Sequence, residues 1–151
     1  MPVDCVLKTV NCILSLLTPS MSTLKIIIVT PESTTLDQEA EFVVLPLVDG
    51  ESGISANHAP MIGRLGPGEV RIKDKKGTQS FYVDGGFVQI EDNVVSVLTG
   101  SSTVASEIDV VEAKKALEEA NELPSESAAL MEVKRKAVSQ AQAKIRVAEK
   151  A

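Results

Sequence analysis

Hydrophobic periodicity changes once along this chain, near Gly100, and that change limits the folds that are open to it. Between Met21 and Gly100 apolar and polar residues alternate, and turn residues recur at short intervals. After Gly100 apolar residues return every three or four positions. Short strands with close turns and no helix between them are typical of an antiparallel sandwich or barrel. We therefore predict a mainly β fold, with a flattened antiparallel β-sandwich over 21–104 and a two-helix hairpin over 105–151.

The strand alternation is clearest in six segments, which are Leu24–Val29, Glu41–Leu47, Val70–Lys73, Phe81–Val83, Phe87–Glu91 and Val94–Leu98. Turn residues at Asp49-Gly50, Lys76-Gly77 and Asp92-Asn93 follow or connect them, and the last two predict hairpins. Gly85-Gly86 lacks the flanking residues of a phosphate-binding loop. We therefore expect a bulge or a close approach of two backbones there.

Two helices are predicted after the strands. Ser106 to Asp109 resembles a capping box, Pro124 ends the first helix, and Ser125 or Ser127 caps the second. The predicted apolar stripes are Val110, Ala113, Leu117 and Ala120 on the first helix, and Leu130, Val133, Ala137, Ala141, Ile145 and Ala148 on the second. Because half of the second stripe is alanine, the hairpin buries little apolar area and is only marginally stable by itself.

The two predicted helices carry opposite charge. Residues 101–126 hold seven acidic side chains against two lysines, whereas 127–151 hold six basic side chains against two acidic ones. One interpretation is mutual attraction across the hairpin, although exposed ion pairs contribute only about 0–1 kcal/mol each. The other is that the basic helix leaves and docks on an acidic partner.

Composition excludes several classes of function. A net charge of −6, a pI near 4.8 and the absence of tryptophan argue against binding to nucleic acid. No apolar run approaches the roughly 20 residues that a membrane-spanning helix needs. Cys5, Cys12 and the single histidine, His58, are too few and too far apart for a zinc site, and the thiols suit a reducing compartment. We expect neither a metal nor a cofactor.

The first 20 residues are apolar, interrupted by Lys8 and Asn11, and do not continue the strand pattern. We predict that the mature chain begins at Met21, so that 1–20 reflect a misassigned start. A real extension and a weak signal peptide are the alternatives. An intact mass that includes Cys5 and Cys12 would contradict the prediction.

Polar residues are densest between Asp49 and Pro60, a segment that we interpret as an exposed loop. Its carboxylates and His58 could suggest acid–base chemistry. No second histidine or cysteine lies near them, and no nucleophile is paired with a base at a recognisable spacing. We expect no catalysis there.

A series of short motifs, taken in order, resembles the epsilon subunit of F-type ATP synthases over Met21–Ala151. The motifs are Leu45-Pro46, Asp49-Gly50-Glu51, Gly53-Ile54, His58-Ala59-Pro60, Leu65-x-Pro67-Gly68-x-Val70, Gly85-Gly86-Phe87, Asn93-Val94-Val95-Ser96-Val97-Leu98 and Ile108-Asp109. No single motif is specific, but their order is. Ser55, Ala56 and Asn57 depart from the larger or Pro-Gly residues usual in the family, so we expect a different loop geometry.

The resemblance implies a non-catalytic subunit of the central stalk, next to the γ subunit and the c-ring. Such a subunit couples proton-driven rotation to the αβ catalytic head, and its C-terminal helices restrain ATP hydrolysis. Glu51 and His58 would contact the c-ring or γ, while the basic helix with Lys134, Arg135, Lys136, Lys144 and Arg146 would reach an acidic segment of the head. The implied location is peripheral, at the cytoplasmic face of the bacterial inner membrane and attached only through the complex.

The family's ATP-binding element is degenerate here. Ile108, Asp109 and Ala113 match its I-D-x-x-R-A pattern, but Glu112 replaces the arginine, and Gln140 and Lys144 occupy the two later basic positions. A carboxylate repels a polyphosphate instead of pairing with it, so we expect no binding at millimolar ATP.

Two alternatives belong to other classes of protein. One is a free-standing β-sandwich binding module with a partner-binding helical tail, and the other is a hydrolase built around His58. Co-purification with stalk subunits, co-purification with unrelated partners, or activity of the isolated chain would distinguish the three.

Overall fold

The computed structural model describes residues 23–151, so residues 1–20 and the predicted start at Met21 lie outside the described part. The described part contains ten strands, a 3-10 turn at Ala105–Glu107 and two helices, α1 (Val110–Glu122) and α2 (Ala128–Lys150). The strands are β1 (Leu24–Val29), β2 (Thr34–Ala40), β3 (Phe42–Leu47), β4 (Gly50–Ser55), β5 (Met61–Leu65), β6 (Gly68–Asp74), β7 (Gly77–Val83), β8 (Gly86–Glu91), β9 (Val94–Thr99) and β10 (Ser102–Val104).

The strands form one continuous sheet that folds over its own core. Its order is β10-β7-β6-β3-β5-β8-β9-β1-β2, with β4 paired to β3. β3 and β5 share a single residue pair, Leu47 with Leu65, where the two halves of the sandwich meet. The core between them is aliphatic with one aromatic ring, and its fully or nearly buried members include Ile26, Ile28, Val43, Leu45, Val70, Ile72, Phe81, Val88 and Val97. The predicted sandwich followed by a helical hairpin is confirmed.

One strand pair is parallel, contrary to the antiparallel prediction. β1 runs parallel to β9, with Ile26 opposite Val95 and Ile28 opposite Val97. No tight turn joins these two strands, so chain connectivity does not impose an antiparallel direction on them. The predicted hairpins β6–β7 and β8–β9 are confirmed.

Four strands escaped the sequence analysis, namely β2, β4, β5 and β10. The segment interpreted as a loop from Asp49 to Pro60 contains β4, and this correction moves Glu51 from a loop onto a strand. β4 reads Gly-Glu-Ser-Gly-Ile-Ser, which has little intrinsic strand preference. It is extended because six of its residues pair with β3, a contact between strands that local propensity does not report.

The expected close backbone approach at Gly85-Gly86 is present. Gly86 has φ 131°, and a Cβ added there would collide with the carbonyl oxygen of Leu98 on β9. Only glycine combines this backbone conformation with such proximity, because it has no Cβ.

The start of α1 corrects the predicted capping box. The N-cap is Asp109, whose Oδ1 accepts a hydrogen bond of 2.8 Å from the amide of Val111. Ser106 lies in the preceding 3-10 turn, which has no side-chain cap. Ser127 caps α2 by accepting from the amide of Leu130 at 3.3 Å, in agreement with one of the two predicted candidates.

The stripe predicted for α2 is only partly correct. Ala141 is buried, but Leu130 and Val133 are exposed, and the other buried residues of the helix are Ala143 and Val147. The reason is that α2 packs on two neighbours, α1 and the β6–β7 face of the sandwich, so one stripe does not describe its buried surface. The sandwich covers the C-terminal half of α2.

Replacing Gly86 with alanine should destabilise the fold more than replacing Gly50, which has nearly the same φ, 135°, but open space at the Cβ position. Gly50→Ala should cost about 1–3 kcal/mol of backbone strain. Gly86→Ala adds the collision with Leu98, and we expect at least about 1 kcal/mol more. Denaturant unfolding of the two variants measures the difference, and equal losses would contradict the argument.

Candidate functional site

The two residues predicted to contact other subunits lie on different elements of the sandwich. Glu51 is the second residue of β4, whereas His58 follows the last residue of that strand by three positions. An extended strand rises about 3.3 Å per residue, so β4 carries the chain about 13 Å from Glu51 before the link that holds His58 begins. The prediction that both residues lie on one exposed loop is wrong, because Glu51 is on a strand.

Glu51 forms an ion pair across the outer face of the sheet. Its Oε2 lies 2.7 Å from Nη2 of Arg71, which is on β6, and both side chains remain partly open to solvent. Such a pair holds the carboxylate in position but contributes little stability of its own, about 0–1 kcal/mol.

His58 lies in the short link between β4 and β5. Its Nδ1 is 2.9 Å from the carbonyl oxygen of Ala59, and the preceding Asn57 has φ 62°. The amide of Asn57 donates to Oδ1 of Asn93 in the β8–β9 turn at 2.6 Å. Asparagine adopts this left-handed conformation more readily than most residues, so the departure at Asn57 leaves a well-defined turn that is tied to the neighbouring hairpin.

An exposed apolar surface covers the outside of β5, β8 and β9, and the sequence analysis missed it. Ile62, Phe87 and Leu98 are 76%, 59% and 51% exposed, and Phe87 lies directly opposite Leu98 in the ladder. We call these three residues the outer apolar patch. The signal was the consecutive apolar residues Phe87-Val88 and Val97-Leu98, which give these strands an apolar side chain on each face. Ile62 pairs with Gln89 one step along the same face, so the three residues make this face a candidate for contact with a partner.

The hairpin docks on the other half of the sandwich through Tyr82. This residue of β7 points away from the sandwich core and is fully buried under α2, against Ala105, Ala143 and Val147. Lys144 places its Nζ 5.4 Å from the centre of the ring, a cation–π arrangement. The ring thus joins the sandwich to the hairpin.

Polar contacts fix the orientation of this docked hairpin. The Tyr82 hydroxyl donates to the backbone carbonyl of Gln140 at 3.4 Å, and Gln140 Nε2 donates to the carbonyl of Asp84 at 3.3 Å. The Asp84 side chain accepts from Thr99 Oγ1 at 2.9 Å and from the Ser101 amide at 3.0 Å, which holds the chain leading into β10. Burial, with a smaller contribution from the Asp84 carboxylate, raises the pKa of Tyr82.

A groove of about 200 Å³ separates the last turns of α2 from the β3–β4 edge. Two carboxylates and two cations line it, namely Glu51, Glu69, Arg146 and Lys150. Glu69 is 9% exposed, and its Oε2 lies 3.6 Å from Nζ of Lys150. The groove therefore brings Glu51 next to the hairpin, a juxtaposition that sequence spacing does not reveal.

The predicted basic helix does not present one uniform charged surface. Lys144 lies over Tyr82, Arg146 lines the groove, and Arg135 pairs with Glu132 on the same helix at 2.7 Å. Within residues 23–151 no ion pair joins α1 to α2. The opposite charges of the helices thus do not meet in contact pairs across the hairpin. Lys134 and Arg135 line a separate shallow groove on α2.

The residues of the degenerate ATP motif serve the local fold. Asp109 caps α1, Ala113 is buried, and Ile108 packs on the cluster around Tyr82. Glu112 is exposed. The later positions, Gln140 and Lys144, both contact β7 or its following loop, as described above.

Residues 23–151 contain no group of three histidine, cysteine or acidic side chains placed to hold a metal ion. None of the helices in this part is both long enough and apolar enough to cross a membrane.

Absorbance titration of the phenol should report the docked hairpin directly, because Tyr82 is the only tyrosine of the chain. We expect its midpoint above 10.0, the ordinary value, because burial under α2 disfavours the phenolate. The buried neutral phenol makes its full contribution to the free energy of unfolding below pH about 10, and that contribution is lost as the pH rises through the raised pKa. Tyr82→Phe should abolish the signal, and a midpoint of 10 in the native chain would refute the burial.

Comparison with known proteins agrees with this architecture. A family profile described as the beta-sandwich domain of the ATP synthase delta/epsilon chain matches residues 23–105. The ATP synthase epsilon chain of Rhodopirellula baltica is 46% identical over 123 residues, which cover 82% of this chain and 96% of that one. The sodium ion specific epsilon chain of Propionigenium modestum is 34% identical, covering 85% and 96%.

Solved structures share the fold at lower identity. A chain in the mitochondrial ATP synthase of Euglena gracilis (OSCP/F1/c-ring) superposes with a TM-score of 0.71 at 23% identity, covering 80% of this chain and 78% of that one. A chain in the central stalk and c-ring of the Tetrahymena thermophila enzyme gives 0.68 at 15% identity, covering 84% and 97%. Sandwich, hairpin and sequence similarity together establish that the chain belongs to the epsilon chains of ATP synthases.

Proposed function

We propose that this chain couples ion-driven rotation to the catalytic head of an ATP synthase, and that its C-terminal helices restrain ATP hydrolysis. As an epsilon chain it is a non-catalytic subunit of the central stalk. The single observation that supports the regulatory part is the nature of the hairpin dock. Apart from Tyr82, the buried residues of the dock are small, namely Ala105, Ala143 and Val147. A contact of this kind stabilises the docked state by only a modest amount, so a second state is accessible.

The sandwich offers two surfaces for stalk partners. The outer apolar patch is our candidate for docking on the γ subunit, because burying exposed apolar side chains that share one face against a partner is favourable. The β4 end with Glu51 is our candidate for the c-ring contact. His58, which follows the other end of β4, is then our candidate for a contact with γ. The c-ring and F1 assemblies that hold the structurally similar chains support this arrangement.

The membrane location follows from the complex. We place the chain at the cytoplasmic face of a bacterial inner membrane, attached through its partner subunits. The bacterial relatives support this location. The net charge of −6 also disfavours direct binding to anionic lipid.

Regulation by bound ATP is not part of the proposal. Glu112 occupies the position at which an arginine would pair with phosphate. The carboxylate of Asp109 accepts the hydrogen bond that caps α1. Lys144 is engaged by the ring of Tyr82. That this chain does not bind ATP stays a prediction.

Reversing the charge at Glu51 should weaken assembly modestly, because a charge at the rim of an interface mainly steers association and sets register. The measurement is retention of the chain, and proton pumping, in purified complexes that carry Glu51→Lys. Glu39→Lys, an exposed carboxylate on β2, controls for added charge, and Arg71→Gln controls for loss of the ion pair. Unchanged retention and pumping in Glu51→Lys would remove this residue from the contact.

Truncation after Glu107 should raise the ATPase activity of the complex while assembly is kept. The cut retains β10, which pairs with β7 and belongs to the sheet, and removes both α-helices. We expect about a fivefold or larger rise, the ratio that a coupling of about 1 kcal/mol produces. Full-length and truncated complexes should be compared at low and high salt. Equal activity in both conditions would rule out the inhibitory role.

A further inference from the structure

We propose that Glu69 and Lys150 form a clasp that makes docking of the hairpin depend on one lysine in the last turn of α2. This inference rests on the proposed function, since it concerns how the hairpin is held and released. Glu69 is the positioning residue on the sandwich, and an acidic surface that captures Lys150 would open the clasp.

Glu69 is a buried carboxylate on the face of the sandwich that α2 covers. It lies opposite Tyr82 in the β6–β7 ladder, so both side chains point to the outer face that α2 covers. With 9% exposure it is the one charged residue classed as buried in the described chain. Its Oε2 has no hydrogen-bond donor within reach among residues 23–151, and Lys150 is its ion-pair partner.

The two partners of this ion pair differ in exposure to water. The Lys150 side chain is 61% exposed, so water still solvates its ammonium group when the pair is broken. The Glu69 side chain is only 9% exposed beside α2, so its carboxylate is far less hydrated in the docked state than the Lys150 ammonium group. Removing one partner of a buried pair leaves the other as an uncompensated charge, and this penalty exceeds the strength of the pair itself.

An asymmetric result follows. Lys150→Gln leaves an unpaired carboxylate beneath α2, which favours the undocked hairpin. Glu69→Gln removes the charge that needs compensation and leaves Lys150 in water, so the hairpin stays docked. The double variant should behave like Glu69→Gln. A pair that acted only as an attractive contact would instead give equal release in the two single variants.

The clasp also accounts for how a partner could release the helix. Arg146 and Lys150 line the same groove as Glu51 and Glu69, so four charges of both signs are balanced there. An acidic protein segment that binds these two cations withdraws them from the sandwich. It thereby leaves Glu69 unpaired, and the cost of that carboxylate adds to the attraction of the partner. The undocked fraction of the hairpin then rises more steeply with partner binding than the new contacts alone would make it.

The full-length chain contains its own reporter. Tyr82 is the only tyrosine, there is no tryptophan, and the ring is covered by α2 in the docked state. Acrylamide quenching of its fluorescence therefore measures the undocked fraction. We expect Lys150→Gln to increase that fraction about tenfold or more. Glu69→Gln and the double variant should stay within about twofold of the native chain. Lys115→Gln, an exposed lysine on α1 of the same hairpin, is the matched control and should leave the quenching unchanged.

Circular dichroism and hydrogen exchange of the sandwich core verify that each variant folds, and recovery in the double variant shows that release in Lys150→Gln is not misfolding. Release in Glu69→Gln equal to that in Lys150→Gln, or no recovery in the double variant, would overturn the clasp. ATPase activity of complexes with Lys150→Gln is read separately. A change in quenching without a change in ATPase activity would uphold the clasp but count against the proposed restraint of hydrolysis.

Discussion

Burial of one tyrosine joins the two parts of this molecule. Tyr82 projects from the outer face of β7, between Phe81 and Val83, whose side chains belong to the sandwich core. A strand places successive side chains on opposite faces, so the register that buries Phe81 and Val83 also directs Tyr82 towards α2. The position of the hairpin, the cation over the ring and the contacts of Gln140 all depend on that register.

Charge acts locally in this structure, not as a net attraction between segments. The acidic α1 and the basic α2 form no ion pair with each other in the described chain, whereas the sandwich pairs with the last turn of α2 through Glu69. Because its carboxylate is poorly hydrated, Glu69 is destabilised when it loses its lysine partner, whereas two partners in water would lose little. The sandwich therefore meets the hairpin through a small number of local contacts, around Tyr82 and at Glu69.

The residues assigned to partner contacts lie on different parts of the sandwich. Glu51 is near the start of β4 and His58 follows the end of that strand, while Ile62, Phe87 and Leu98 are exposed on the outer face of β5, β8 and β9. If the proposed contacts hold, a small sandwich meets several partners without rearrangement of its core. The groove beside Glu51 connects one of these surfaces with the hairpin.

The sequence by itself determined the change from strands to helices and the β6–β7 and β8–β9 hairpins, because periodicity and turn chemistry are local properties. It narrowed the cap of α2 to two serines and the role of Gly85-Gly86 to a bulge or a close approach, and the structure selected Ser127 and the close approach. Its ordered motifs also indicated the family. Only the tertiary structure decided that Gly50–Ser55 is a strand, that β1 and β9 are parallel, and that Glu69 meets Lys150. These features join residues far apart in the chain, and their energies come from pairing and desolvation across that distance, which no local pattern encodes.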